Sequence, residues 1–276
     1  MVIQKGAMIT VSAIVALALT ASVGFGAGCK RASPDHTILA CTALVEDPQS
    51  ELIRRAKALV VRASAYAEVA KNDLAVADVS RAIQSQPDFA DAYYQRALIL
   101  TGSGRLREAL ADFDRAIELD VSVTNYRYER ANSHLAIGNL DQAIMDYSAV
   151  ITRNNRPGLA YMNRGIAKAT KGLLQEAIED LNEAVRLEPE SPAVYFNRGI
   201  LHAAAARFQS AIADFDQTLV LAPTHVEATL YRGDAFWRIG ARVAAIRDIG
   251  VALSLAPGNA QVQAAASFMG LSPGHQ

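Results

Sequence analysis

Residues 158–191 read GLAYMNRGIAKATKGLLQEAIEDLNEAVRLEPES, and most of what distinguishes this stretch recurs along the chain every 34 residues. Its Arg164-Gly165 has counterparts at Arg62-Ala63, Arg96-Ala97, Arg130-Ala131, Arg198-Gly199 and Arg232-Gly233. Its Ala177 falls in a column with Ala75, Ala109, Ala143, Ala211 and Ala245. Leu181, four residues on, aligns with Val79, Phe113, Tyr147, Phe215 and Ile249. Pro189 keeps step with Pro87, Pro223 and Pro257, while Val121 and Asn155 stand in that column in two other copies. Six copies held in one register have no accidental origin, so one structural unit repeats.

Within a copy the apolar spacing is helical, as in Ala109, Leu110, Phe113, Ala116 and Ile117, or in Tyr93, Ala97 and Leu100 of the preceding element. Gly104, Gly138, Gly172 and Gly240 fall between two such stretches, where a helix stops and a left-handed residue is convenient. Each copy is therefore helix, turn, helix. The Ala or Gly after each repeated Arg, and the Ala twelve residues later, let two helices approach closely; a larger side chain at either place forces them apart.

These features resemble the tetratricopeptide repeat, whose signature joins an aromatic, Leu-Gly, a second aromatic, Ala-x-x-x-Phe and a closing Pro. Asn163-Arg164-Gly165 and Ala177-Ile178-Glu179-Asp180 carry the resemblance most clearly. It covers six repeats, 56–89, 90–123, 124–157, 158–191, 192–225 and 226–259, with Arg127 and Thr229 in place of the first aromatic and Ala206 in place of the turn glycine. The resemblance implies an all-α, right-handed solenoid. It further implies that the first helices line a concave face, and at one register position there the chain has Val60, Tyr94, Tyr128, Met162, Phe196 and Leu230. Leu98, Asn132, Ile166, Ile200 and Asp234 lie beside that stripe, with Leu135 and Trp237 further along and Arg238 next to it. Carboxylate clamps in related co-chaperones use Lys and Asn on this face, and here only Lys57 and Asn132 remain of such a set. The expected ligand is thus an extended apolar segment or an amphipathic partner helix rather than an acidic tail. The competing reading is that part of the stripe packs helix on helix.

An Asp stands sixteen residues after each repeated Arg: Arg62 and Asp78, Arg96 and Asp112, Arg130 and Asp146, Arg164 and Asp180, Arg198 and Asp214, Arg232 and Asp248. Such repetition predicts a structural ion-pair ladder rather than catalytic carboxylates. Whether each Asp meets the Arg before it or that of the next repeat is open at this level. Residues 29–55 read as an N-terminal capping helix, Asp35 to Glu46, and a polar linker; 260–276 read as a C-terminal cap and tail, with Asn259 as the helix cap and Val262, Ala266 and Met269 inward.

Ahead of these lies Lys5 and then an uncharged run from Gly6 to Cys29, ending in the small-residue stretch GFGAG before Lys30 and Arg31. That order predicts a secretory signal peptide over residues 1–28 and export to the periplasm or cell envelope. A retained anchor is the alternative, because an uncharged run of this length spans a bilayer core; the protein would then be a membrane-anchored subunit of a larger envelope complex. Cys29 and Cys41 form a disulfide in an oxidising compartment, or else Cys29 carries lipid at a weakly lipoprotein-like Gly26-Ala27-Gly28-Cys29. The two uses exclude each other.

With 27 Lys+Arg against 28 Asp+Glu, the chain has no basic excess suited to nucleic acid, and 20% charged residues do not describe a disordered polyampholyte. Five scattered histidines and two cysteines offer no local metal-ligand spacing, and no cofactor is expected. Phosphate loops, H-E-x-x-H and nucleophile elbows do not occur. His134 and His202 occupy equivalent positions and read as packing residues with a polar edge. The expected function is that of a non-enzymatic scaffold binding a protein partner.

Overall fold

A computed structural model describes residues 28–153 and 157–271, which fall in two compact units divided between Asn155 and Arg156. The described residues of both are all-α. The first unit holds α1 (Pro34–Glu46), α2 (Leu52–Glu68), α3 (Asn72–Ser85), α4 (Ala90–Gly102), α5 (Leu106–Leu119), α6 (Thr124–Ala136) and α7 (Leu140–Thr152). The second holds α8 (Pro157–Thr170), α9 (Leu174–Leu187), α10 (Pro192–Ala204), α11 (Phe208–Leu221), α12 (Val226–Arg238), α13 (Arg242–Leu255) and α14 (Ala260–Phe268). Within each unit a first helix packs on its second helix, and that second helix on the first helix of the following repeat. This is the stacking of an α-solenoid, in which each repeat buries its apolar face only against its neighbours.

The 34-residue columns explain the packing. Val79, Phe113, Tyr147, Leu181, Phe215 and Ile249 are fully buried, as are the six alanines four residues before them. Opposite these bulky side chains stand Ala63, Ala97 and Ala131 in the first unit and Gly165, Gly199 and Gly233 in the second. At Gly199 the constraint is severe, since an added Cβ would lie 2.7 Å from Cε1 of Phe215.

The turns between paired helices need a left-handed residue. Gly104, Gly138, Gly172 and Gly240 supply it with φ between 75° and 90°, whereas the equivalent Ala70 and Ala206 are held at φ 58° and 56°. A Cβ makes that conformation costly. We expect Ala206→Gly to stabilise the protein by about 1 kcal/mol in thermal melts, even though glycine enlarges the unfolded ensemble. The same exchange at the exposed mid-helix Ala213 is expected to cost about 1 kcal/mol, so the two variants should move the melting temperature in opposite directions.

Helices α1 and α14 cover the ends. Cys29 and Cys41, twelve residues apart, are joined as a disulfide that ties the segment before α1 to its buried face. Arg62 Nη1 donates to Thr42 Oγ1 at 2.8 Å, linking α1 to the first repeat. At the other end Asn259 Oδ1 accepts from the Gln261 and Val262 amides, and Val262 and Ala266 are the buried face of α14. No helix of the described residues is long and apolar enough to cross a membrane; the apolar run before Gly28 lies outside them.

Candidate functional site

Each repeated Arg meets the Asp sixteen residues after it, within its own repeat, through two parallel hydrogen bonds from Nε and Nη2. For Arg62 and Asp78 these measure 2.6 and 2.7 Å, for Arg164 and Asp180 2.9 and 2.6 Å, and for Arg198 and Asp214 3.0 and 2.6 Å. Arg96 with Asp112, Arg130 with Asp146 and Arg232 with Asp248 repeat the arrangement. The remaining nitrogen, Nη1, reaches back one repeat: from Arg96 to Ser80, Arg130 to Asp114, Arg198 to Asn182 and Arg232 to Asp216. One guanidinium therefore clamps its own helix pair and ties it to the pair before, a use of the planar fork that lysine cannot copy. Hydrogen bonds donated to the paired Asp raise the pKa of Arg62, Arg96, Arg164 and Arg232 against the opposing effect of burial.

His134 and His202 stand beside this ladder. Burial pushes both below the ordinary histidine range, and His202 Nε2 lies 3.8 Å from Asp214 Oδ2. Both are placed as half-buried neighbours of the ion pairs. Among the described residues no three His, Cys, Asp or Glu side chains gather in a way that would hold a metal ion.

The apolar stripe behaves differently in the two units. In the first it is closed: Val60, Tyr94, Leu98, Tyr128, Asn132 and Leu135 are all buried. They are packing residues, which corrects their assignment to an open groove. At Tyr94 the physical cause is Tyr126, which occupies a register position held elsewhere by Ala58, Ala92, Ala160, Val194 and Ala228. Its ring lies 4.8 Å from that of Tyr94, and its hydroxyl donates to the Asp91 carboxylate. Burial, then Asp91, push the Tyr126 pKa upward, so the phenol stays protonated and remains a donor. Tyr128 packs against Tyr147 at 5.9 Å. Tyr147 Oη donates to Asn132 Oδ1 at 2.6 Å, and Asn132 Nδ2 donates to Glu129 Oε2 at 2.9 Å, so Asn132 is already engaged inside the fold. The break in the small-residue column at Tyr126 is the signal that would have announced the closure over Tyr94.

In the second unit Ile166 and Leu230 are buried too, which removes them from the open surface. Met162, Phe196, Ile200, Asp234 and Trp237 stay partly accessible. Phe196 rests on Phe215, His225 and Tyr231 with ring centroids 6.0, 4.7 and 5.9 Å away. Burial raises the Tyr231 pKa. Asp234 Oδ2 lies 3.5 Å from Arg238 Nε. Trp237 is held between Phe268, at 5.5 Å, and the guanidinium of Arg242, 3.6 Å above its ring. Arg242, itself exposed, is therefore part of the Trp237 surroundings. What α8, α10 and α12 leave accessible is a strip of thioether, aromatic, aliphatic and indole surface with Asp234 and Arg238 at its far end, where Arg242 of α13 adjoins it.

The comparisons bear on the fold. A search of curated proteins finds no match. Among solved structures, the chain is similar to YrrB, described as a TPR protein with an unusual peptide-binding site, at 21% identity over 68% of this chain and 97% of that one, with a TM-score of 0.57. It is also similar to PilW, described as a widely conserved type IV pilus biogenesis factor (16% identity, 76% of this chain, 97% of that, TM-score 0.69), and to pilF of Pseudomonas aeruginosa (15%, 77%, 97%, 0.66). At these identities the likeness is one of architecture. Family models of the tetratricopeptide repeat match residues 90–122, 128–192 and 196–260. They cover more than half of the sequence and follow the helix pairs and ion-pair ladder seen in the structure: the chain belongs to the tetratricopeptide repeat family.

Proposed function

We propose that this protein is a non-enzymatic, exported interaction module that takes a peptide segment or amphipathic helix of a protein partner on the first-helix face of residues 157–271. The observation that carries the reading is the contrast between the units: Val60, Tyr94, Leu98, Tyr128, Asn132 and Leu135 are buried in one, whereas Met162, Phe196, Ile200, Asp234 and Trp237, at the same register positions, stay partly accessible in the other, where Ile166 and Leu230 are buried. Aromatic and arginine side chains are frequent interface anchors, and Phe196, Trp237 and Arg242 are held by packing before any partner arrives, which lowers the entropy cost of binding. The peptide-binding character described for YrrB supports the same reading. Export rests on the cationic start and apolar run ahead of Cys29, and the Cys29 to Cys41 disulfide suits an oxidising compartment.

A photocrosslinking side chain at Ile200, compared in the native host with one at the exposed Ala213 of α11, tests this. We expect a discrete protein adduct from Ile200 only, weakened by Asp234→Lys. Equal labelling from both positions would remove the strip from consideration.

A further inference from the structure

The first repeat departs from the others at its start. α1 ends at Glu46 and α2 begins at Leu52, four residues ahead of the repeat frame at Ala56. The added turn places Arg55 in the column that Phe89 and Val123 occupy 34 and 68 residues later. Phe89 is partly buried against the apolar core. Arg55 instead borders an open cavity of about 370 Å³ with an apolar floor of Val45, Ala56 and Leu59 and a polar wall that includes Arg81 and Gln84.

The charges around this cavity are unevenly matched. Arg55 Nε is shut off from solvent and has no hydrogen-bond partner among the described residues. Arg81 lies only within 3.8 Å of Asp78, whose two oxygens already serve Arg62 at 2.6 and 2.7 Å. Asp47, a nearby acid, spends its carboxylate on the Gln49 amide and the Ser50 hydroxyl at 2.9 and 2.8 Å; these bonds, ahead of Arg54 and Arg55, hold its pKa low. Two guanidinium groups beside apolar carbon favour an acceptor that brings its own apolar group, because an ion that keeps its hydration shell cannot use the floor.

We propose that this cavity binds a carboxylate carrying a short apolar group, with the carboxylate on Arg55 and Arg81 and the apolar part on Val45, Ala56 and Leu59. Two sources share that chemistry, a short fatty acid and a peptide C-terminus ending in an apolar residue. The probes are octanoate, the tripeptide acetyl-Gly-Gly-Leu as free acid and as amide, and neutral octanol, titrated into the full chain by calorimetry with chemical shifts of α1 to α3 followed in parallel. Either acid should bind at least about tenfold more tightly than its neutral counterpart. Arg55→Gln should lose that margin, and Gln84→Trp, at an exposed position on the wall, should block the cavity without altering the core. Arg54→Gln, beside the cavity but not lining it, should bind as the parent does. Tighter binding of octanoate assigns the site to a free fatty acid, and tighter binding of the peptide acid assigns it to a chain terminus. Equal affinity of acid and neutral probes, unchanged binding by Arg55→Gln, or saturation by neither acid would overturn the proposal.

Discussion

Asp180→Ala should destabilise the second unit by about 3 to 5 kcal/mol, the usual cost of taking one partner from a buried ion pair. Asp180 is 4% exposed, takes two bonds from Arg164, and lies 3.0 Å from Lys168 Nζ. Removing it leaves two cations facing the helix interface without that carboxylate. The pair itself contributes less than this figure suggests, because bringing its charges out of water already costs most of what their attraction returns; the damage lies in separating them. Glu179→Ala, one residue away, is the comparison. Glu179 is exposed and only accepts from Gln175 Nε2 at 3.3 Å, so its loss should fall within about 0.5 kcal/mol. At about 2 to 4 °C per kcal/mol for a chain of this size, Asp180→Ala should melt roughly 10 °C lower. Amide exchange should quicken chiefly in α8 to α11. If the two variants melt together, the ladder is surface decoration and its role as a clamp is wrong.

The ladder was legible because it is written in spacing: an Arg and an Asp sixteen apart, six times over, can be read without coordinates. The helix pairs and the small-residue columns were legible for the same reason. Which Asp serves which Arg was not, since a separation of 16 and one of 18 to the next repeat are equally regular on paper. The choice depends on the tilt of a helix pair, and the backward reach of Nη1 to Ser80, Asp114, Asn182 and Asp216 fills the second role with a different residue. The accessible strip was harder still. Tyr94 and Phe196 occupy one register position, and the sequence around each looks alike. What separates them is a neighbour 32 residues after Tyr94: Tyr126 caps Tyr94, while the corresponding Ala228 leaves Phe196 partly open. Period alone names the column, and at Tyr94 and Phe196 the volume of the facing side chain separates a packed ring from a presented one. The cavity beside Arg55 escaped notice because it arises where the period fails, in a turn of helix added before the first repeat.

Phe215→Ala is expected to cost about 3 to 5 kcal/mol, since the ring is fully buried and its removal leaves a void that rigid helices fill poorly. Tyr231 stacks on it at 6.2 Å with planes 24° apart, and Phe196 lies 6.0 Å away. The more searching test is its coupling to Gly199. Alone, Gly199→Ala gains about 1 kcal/mol of helix propensity but drives a methyl to within 2.7 Å of the Phe215 ring. That ring has nowhere to go, so a net loss of about 1 to 2 kcal/mol should result. In the Phe215→Ala background the contacts with the ring are gone, leaving a 3.2 Å approach to Asp214 Cβ; the methyl partly fills the void, and the same substitution should become stabilising. A double-mutant cycle in urea therefore has a predicted sign reversal, which neither propensity nor burial alone produces. The cycle also reports on function. Phe196 rests on Phe215, so Phe215→Ala should loosen the central ring of the accessible strip and weaken the Ile200 adduct, and restoring packing with Gly199→Ala should recover stability without restoring the aromatic support. An adduct that stays at full strength in Phe215→Ala would mean that the partner does not read the Phe196 surface.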